Sequence, residues 1–123
     1  LDLCTTLKPK CRQYIVTNGI SSVQRKKIQL SGFKDCVEGC FISEEAGTEK
    51  PNKAFFDYVF QCIPDLDKER TLIVGDSLTS DICGGNNAGI RTCWYNPSKV
   101  PVQGNYQIDY EISDLHEIYE IIK

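Results

Sequence analysis

The sequence predicts an α/β fold built on a parallel sheet, and three observations lead there. Short β-branched or aliphatic runs end in turn-forming or polar residues at Tyr14–Thr17, Gly39–Ser43 and Thr71–Val74. A helical repeat of apolar residues separates two of them, with Ala54, Phe55, Tyr58, Val59, Cys62 and Ile63 on one face. Strands that alternate with helices in this way imply parallel pairing through right-handed crossovers.

Taken in order, Leu1–Lys10 reads as the last turns of a helix, with leucines at 1, 3 and 7 and a stop near Pro9. Tyr14–Thr17 is a short strand closed by the turn formers Asn18 and Gly19. Ser21 or Ser22 is expected to cap a helix that runs to about Leu30, with Val23, Ile28 and Leu30 inward, Arg25-Lys26-Lys27 outward and Gly32 as its end. The strand Gly39–Ser43 follows, then a charged loop from Glu44 to Lys50. Pro51 suits the first turn of the next helix, which would put Lys50 at a helix amino terminus, where anions bind. Thr71–Val74 reads as a strand buried on both faces. Gly84 and Gly85 weaken the helix expected over Asp81–Ala88, each costing about 1 kcal/mol relative to alanine, so their expected use is close packing of helix on sheet. Arg91–Tyr95 is another strand, turned by Asn96-Pro97; Ile108–Ile112 is a last one. Ser113 is expected to cap a final helix with Leu115, Ile118, Tyr119 and Ile122 on one face.

Composition narrows the function classes. A length of 123 residues holds one domain at most, small for a doubly wound enzyme. The net charge of −3 and the absence of a basic run longer than Arg25-Lys26-Lys27 argue against a nucleic-acid-binding surface. No stretch has the length of a membrane span and no signal-peptide pattern opens the chain, so a cytoplasmic setting is expected. Seven cysteines without a C-x-x-C pair, several inside apolar runs (Cys62, Cys83, Cys93), suit reduced buried thiols better than disulfides or zinc ligands. The only histidine, His116, sits on the final helix and reads as a surface residue. A chain that begins at leucine and contains no methionine is expected to be a piece of a longer translation product.

The chemistry concentrates in Thr71–Asp81, TLIVGDSLTSD. Gly75 lets the backbone turn, and Asp76 emerges at the carboxyl end of a strand, where open α/β sheets place their ligand crevice. Asp81 follows one turn later. At ~5 Å and an effective dielectric of ~20, two such carboxylates repel by roughly 3 kcal/mol. Either a hard divalent cation such as Mg²⁺ relieves that repulsion, or Asp76 merely ends a strand and Asp81 starts a helix. With Thr17 after one strand and Lys50 before a helix, the chain holds a hydroxyl, an ammonium and an acid pair, which is what holding a phosphoryl group requires.

In their order, these segments resemble the haloacid dehalogenase superfamily of hydrolases over the whole chain. Tyr14-Ile15-Val16-Thr17-Asn18-Gly19 resembles its second motif, Glu49-Lys50-Pro51 its third, and Gly75-Asp76-Ser77 through Asp81 its fourth. Lys50-Pro51-Asn52-Lys53 with Phe55-Phe56, and Arg91-Thr92-Cys93-Trp94-Tyr95-Asn96-Pro97, are similar to the branch containing the noncanonical pyrimidine 5′-nucleotidases. The resemblance implies a three-layer Rossmann-like parallel sheet and a Mg²⁺-dependent phosphatase acting on small phosphomonoesters, nucleoside monophosphates or sugar phosphates. It implies that Thr17 and Asn18 bind the phosphoryl group, that Lys50 offsets charge on it and on the nucleophile, that Asp76 ligates Mg²⁺ and that Asp81 supports that site. Thr17, Lys50 and Asp76 would then be the catalytic set.

The family's first motif, an apolar strand ending in Asp-x-Asp whose first aspartate attacks phosphorus, has no counterpart here. The one Asp-x-Asp, Asp65-Leu66-Asp67, follows a proline and precedes Lys-Glu-Arg, which marks a loop. Residues 1–123 are therefore expected to be the carboxy-terminal part of such a core, lacking its central nucleophile strand and cap domain and inactive alone. An upstream segment of the same protein, or a second copy of the chain, would complete the sheet. Two other readings stand beside this one: a noncatalytic fragment or homologue that folds only by pairing, and a receiver-type phospho-signalling module. Against the second, receiver domains carry an early acidic pair, whereas here Thr17 and Lys50 precede Asp76.

Overall fold

The structure, a computed structural model, describes residues 2–122, so the reading of Leu1 lies outside the described residues. Its residues group into two compact units, one running to Glu49 and resuming at Ile118, the other spanning Lys50–Glu117. All strand pairing is parallel, as the alternation of elements predicts.

In the first unit, α1 (Asp2–Leu7) buries Leu7 and gives way to a turn at Lys8-Pro9-Lys10. Strand β1 (Tyr14–Thr17) pairs with β2 (Gly39–Ile42), Tyr14 opposite Gly39 and Thr17 opposite Ile42. Between them runs α2 (Ser21–Ser31), ended by Gly32 at φ 82°, a left-handed conformation that glycine adopts without steric cost. Its start differs from expectation: Ile20 occupies the N-cap and no side chain caps the helix. Its inward face differs too, since Val23 and Leu30 are exposed (46% and 77%) and only Ile28 of the three is half-buried. Val23 and Leu30 are seven residues apart and share one stripe, while Ser21, Gln24, Ile28 and Ser31 form the partly covered one. The segment expected as a charged loop opens as a short helix, α3 (Ser43–Ala46), closed by Gly47 at φ 77°. A last short helix, α6 (Ile118–Ile121), buries Ile118.

In the second unit, β3 (Leu72–Gly75), β4 (Arg91–Tyr95) and β5 (Tyr110–Ile112) form a sheet in that order. Of β3 only Ile73 is buried and Val74 is 37% exposed, against the expectation of a strand covered on both faces. The reason is position: among the described residues β3 is an edge strand, with a neighbour on one side only. Helix α4 (Lys53–Cys62) starts after an N-cap at Asn52, so Lys50 and Pro51 precede the helix instead of opening it. Its buried face is Phe55, Phe56 and Val59, continued by Ile63, while Ala54 and Cys62 are exposed. Phe56 turns inward because Gly84 makes room for it: a Cβ on Gly84 would lie 2.6 Å from Phe56 Cε2.

Gly84 and Gly85 open α5 (Cys83–Ala88), and a Cβ on Gly85 would lie 2.6 Å from Thr92 Cγ2 and 2.7 Å from Ile73 Cγ2. Close helix-on-sheet packing is thus what the second glycine allows, and helix-on-helix packing the first. The Asp65-Leu66-Asp67 segment is a loop that leaves a turn at Pro64-Asp65, and Asp67 accepts the Glu69 N–H at 3.0 Å to open a 3-10 turn over Lys68–Arg70. All seven cysteines are free thiols; Cys93 is buried, Cys83 half-buried and Cys62 exposed, the last against expectation because it lies on the outer side of the final turn of α4. His116 is exposed and hydrogen-bonds Asp114.

Candidate functional site

The second unit assembles the acidic stretch around a turn instead of a regular helix start. After β3 the chain turns at Asp76, and Ser77 to Ile82 wind as a wide π-type turn that leads into α5. Ser77 caps it, its hydroxyl accepting the Ser80 N–H at 3.2 Å. This winding carries Asp81 back under the end of β3, where it is 8% exposed. Its Oδ2 accepts the Ser77 N–H at 3.3 Å and its Oδ1 meets Lys50 Nζ at 2.6 Å. Both side chains of that pair are about nine-tenths buried, so solvent screens them far less than a surface pair.

Gly75 has a role that its place in a turn motif does not suggest. A Cβ there would overlap the Asp81 carboxylate, so glycine is what lets the acid lie against the strand. Trp94, opposite Gly75 in the β3–β4 register, donates its indole N–H to the Asp76 carbonyl at 3.1 Å. Asp76 is thus held through its backbone while its side chain is exposed, and no hydrogen bond to its carboxylate occurs among the described residues.

The repulsion expected between Asp76 and Asp81 is therefore offset within the chain, by the Lys50 ammonium. A cation is not needed for that purpose. Among the described residues no group of three ligating side chains surrounds a common point. What the chain offers is one exposed oxygen donor, Asp76, braced by the buried Lys50–Asp81 pair. Mg²⁺ takes one or two protein carboxylates and completes its shell with water and phosphate oxygens, so this donor set fits that ion as a partial site.

In the first unit, Thr17 ends β1 and its hydroxyl donates to the Asn18 carbonyl at 3.3 Å. That carbonyl also accepts the Gln24 side-chain amide at 3.2 Å. Gly19, at φ 147°, is clamped by Ser43: its N–H donates to Ser43 Oγ at 2.8 Å, and the hydroxyl donates back to the Gly19 carbonyl at 3.3 Å. The start of α2 is latched to α3 by Glu45, which accepts from Ser21 Oγ and from Arg25 Nε (2.6 Å) and Nη2 (2.5 Å). These bonds hold the Glu45 carboxyl down at about 2, the guanidinium contributing most.

Sequence reasoning thus names Lys50, Asp76 and Asp81, which the second unit draws to one sheet end, and Thr17 with Asn18, which sit at the matching end of β1. It misses Ser43, Trp94 and the packing role of Gly75. The first two were within reach through register. In-register parallel pairing sets the residue after Ile42 level with the residue after Thr17, and sets Trp94 level with Gly75.

A family model described as HAD-hydrolase-like matches residues 47–117, which include Lys50, Asp76 and Asp81. The chain belongs to the HAD-like hydrolases. Among relatives of this HAD-like chain, a putative HAD-hydrolase of Bacillus subtilis, YfnB, is 46% identical over 98% of this chain and 52% of its own. The pyrimidine 5′-nucleotidase PynA of Streptococcus pneumoniae is 40% identical over 89% of this chain and 46% of its own. A magnesium-bound crystal structure of YfnB superposes with a TM-score of 0.95, at 45% identity, over 98% of this chain and 53% of that one. The HAD-like chain spans about half the length of the curated relatives it matches. Its α/β fold is that of the family.

Proposed function

We propose that residues 1–123 are the carboxy-terminal part of the core domain of a Mg²⁺-dependent phosphatase acting on small phosphomonoesters, with nucleoside monophosphates as the favoured class. The observation that carries this reading is the exposed Asp76 carboxylate at a strand end, backed by the buried Lys50–Asp81 ion pair. The nucleotidase relative supports the substrate class.

In this reading Thr17 and Asn18 hydrogen-bond phosphoryl oxygens, the Thr17 hydroxyl exchanging its weak bond to a neighbouring carbonyl for a charged acceptor. Lys50 offsets charge on the phosphoryl group with the ammonium that Asp81 holds at 2.6 Å. Asp76 holds the metal, and Asp81 keeps Lys50 oriented. The Mg²⁺ ion, when bound, supplies charge neutralisation at the transferring group. The nucleophile is an aspartate upstream of this chain: its carboxylate attacks phosphorus, the ester oxygen leaves as the alcohol, and water then hydrolyses the aspartyl phosphate. By itself this chain is inactive.

Phosphate release from a panel of nucleoside and sugar monophosphates tests the proposal, with the full-length gene product and the 123-residue chain assayed side by side. Release by the former alone, abolished by EDTA and by Asp76→Asn, is expected. Undiminished release by Asp76→Asn would remove the metal role, and release by the 123-residue chain would remove the upstream nucleophile. A second reading, a noncatalytic chain that folds by pairing, is favoured by one observation: β1 and β3 each have a strand neighbour on one side only among the described residues. Absence of hydrolysis in the full-length product together with a stable dimer would select it.

A further inference from the structure

Three thiols of the first unit take no part in the phosphoryl chemistry and lie close together. Cys4 is on α1, Cys11 lies four residues past its end, and Cys36 closes the 3-10 turn Phe33–Asp35. Several bonds tie α1 to that turn. Thr5 Oγ1 lies 3.2 Å from Cys36 Sγ, and Lys8 Nζ donates to the Asp35 carbonyl at 2.7 Å. One amide nitrogen, Gln13 Nε2, reaches both backbones, donating to the Cys4 carbonyl at 2.7 Å and the Cys36 carbonyl at 3.4 Å. Two cysteines whose main chains share one donor, with the hydroxyl of the residue after Cys4 against the Cys36 sulfur, lie within the short reach that a disulfide requires. Cys11 is tied differently, its thiol donating to the Leu7 carbonyl within its own turn at 3.7 Å.

We propose that Cys4 and Cys36 are a redox-modification site: a hydroperoxide oxidises them to a disulfide that joins α1 to the 3-10 turn. Cys4 is the more exposed of the two, Cys36 being 7% exposed, so Cys4 reacts first. Its thiolate attacks the terminal peroxide oxygen, the O–O bond breaks, and the departing alkoxide takes the proton to leave as an alcohol. The sulfenic acid on Cys4 is then attacked by the Cys36 sulfur. The S–O bond breaks as the S–S bond forms, and hydroxide leaves as water with the Cys36 proton. Two thiols lose two electrons in total, and the hydroperoxide is reduced to alcohol and water. Burial and the neighbouring thiol push the Cys4 thiol up to about 11, so the reaction is slow at neutral pH and quickens as its thiolate fraction grows.

The test uses the reduced, desalted protein exposed to tert-butyl hydroperoxide at pH 7 and pH 9. It is then alkylated and digested without reductant by trypsin and a glutamate-specific protease, which cut at Lys10 and Glu38 and so separate Cys4 from Cys11 and Cys36 from Cys40. The expected product is a Cys4 peptide linked to a Cys36 peptide, formed about tenfold faster per pH unit and reversed by dithiothreitol. A Cys62→Ser variant, lacking the exposed thiol, should give the same link, and Cys4→Ser should abolish it. A Cys4–Cys11 link, cross-linking between molecules in preference to the internal link, or Cys4 over-oxidised to sulfinic acid without any link would overturn the proposal.

Discussion

Replacing Lys50 with methionine should be among the most destabilising single changes in the second unit. The side chain keeps its length and loses its charge, leaving the Asp81 carboxylate 8% exposed with the Ser77 N–H at 3.3 Å as its remaining partner from this network. Breaking a buried ion pair from one side costs about 3–5 kcal/mol, because the remaining charge is left uncompensated. Asp81→Asn should cost less, about 1–3 kcal/mol, since the long lysine stem can carry its ammonium toward water. The double variant should lie closer to wild type than the sum of the two, with a coupling of roughly 1–3 kcal/mol. Urea unfolding followed by fluorescence suits the measurement, because Trp94 is the only tryptophan and its indole is bonded to the Asp76 carbonyl. With a urea dependence of about 2 kcal/mol per molar, Lys50→Met should lower the midpoint by about 2 M. A shift below about 0.5 M, or strict additivity of the two variants, would show that water screens the pair and would refute this account of the site.

Three further outcomes follow from the same geometry. Gly85→Ala forces a Cβ against Thr92 and Ile73 and should destabilise by about 1–3 kcal/mol through overpacking, read by thermal unfolding; an unchanged melting temperature would contradict the packing described. Glu45, held down at about 2 by Arg25 and Ser21, should show an NMR titration midpoint well below that of an ordinary glutamate. Because its folded value is depressed, the stability it lends is complete above the ordinary range near 4.5 and is lost as pH falls toward 2. For an exposed pair it should not exceed about 1 kcal/mol, and a midpoint near 4.5 would remove the latch. Cys93, fully buried and pushed up to about 11, should react with an aromatic disulfide reagent far more slowly than exposed Cys62 in the native protein, and equal rates would argue against its burial.

Much of the local structure was legible in the residues. The strands at Tyr14–Thr17 and Arg91–Tyr95 fall where composition and turn formers place them, and α2 ends at Gly32. Periodicity alone could not settle which face of a helix is covered. On α4 it chose Ala54 and Cys62, yet Phe56 is the residue that finds room, because Gly84 lies opposite it in space and 28 positions away in sequence. On α2, Val23 and Leu30 were expected inside although they stand on the stripe away from Ile28, which the seven-residue spacing already implied.

By itself the sequence determined the parallel α/β fold, the strand ends that carry Thr17 and Asp76, and the resemblance of the motifs around Lys50 and Asp81 to one hydrolase superfamily. Those properties depend on neighbours within a few residues or on motif order. Only the tertiary structure decided that Asp81 turns its charge inward to Lys50, that Gly75 exists to admit that carboxylate, and that Ser43 and Trp94 hold the two strand ends. Each of those contacts joins residues whose meeting depends on strand register and on the winding of a wide turn, and neither is encoded in local composition.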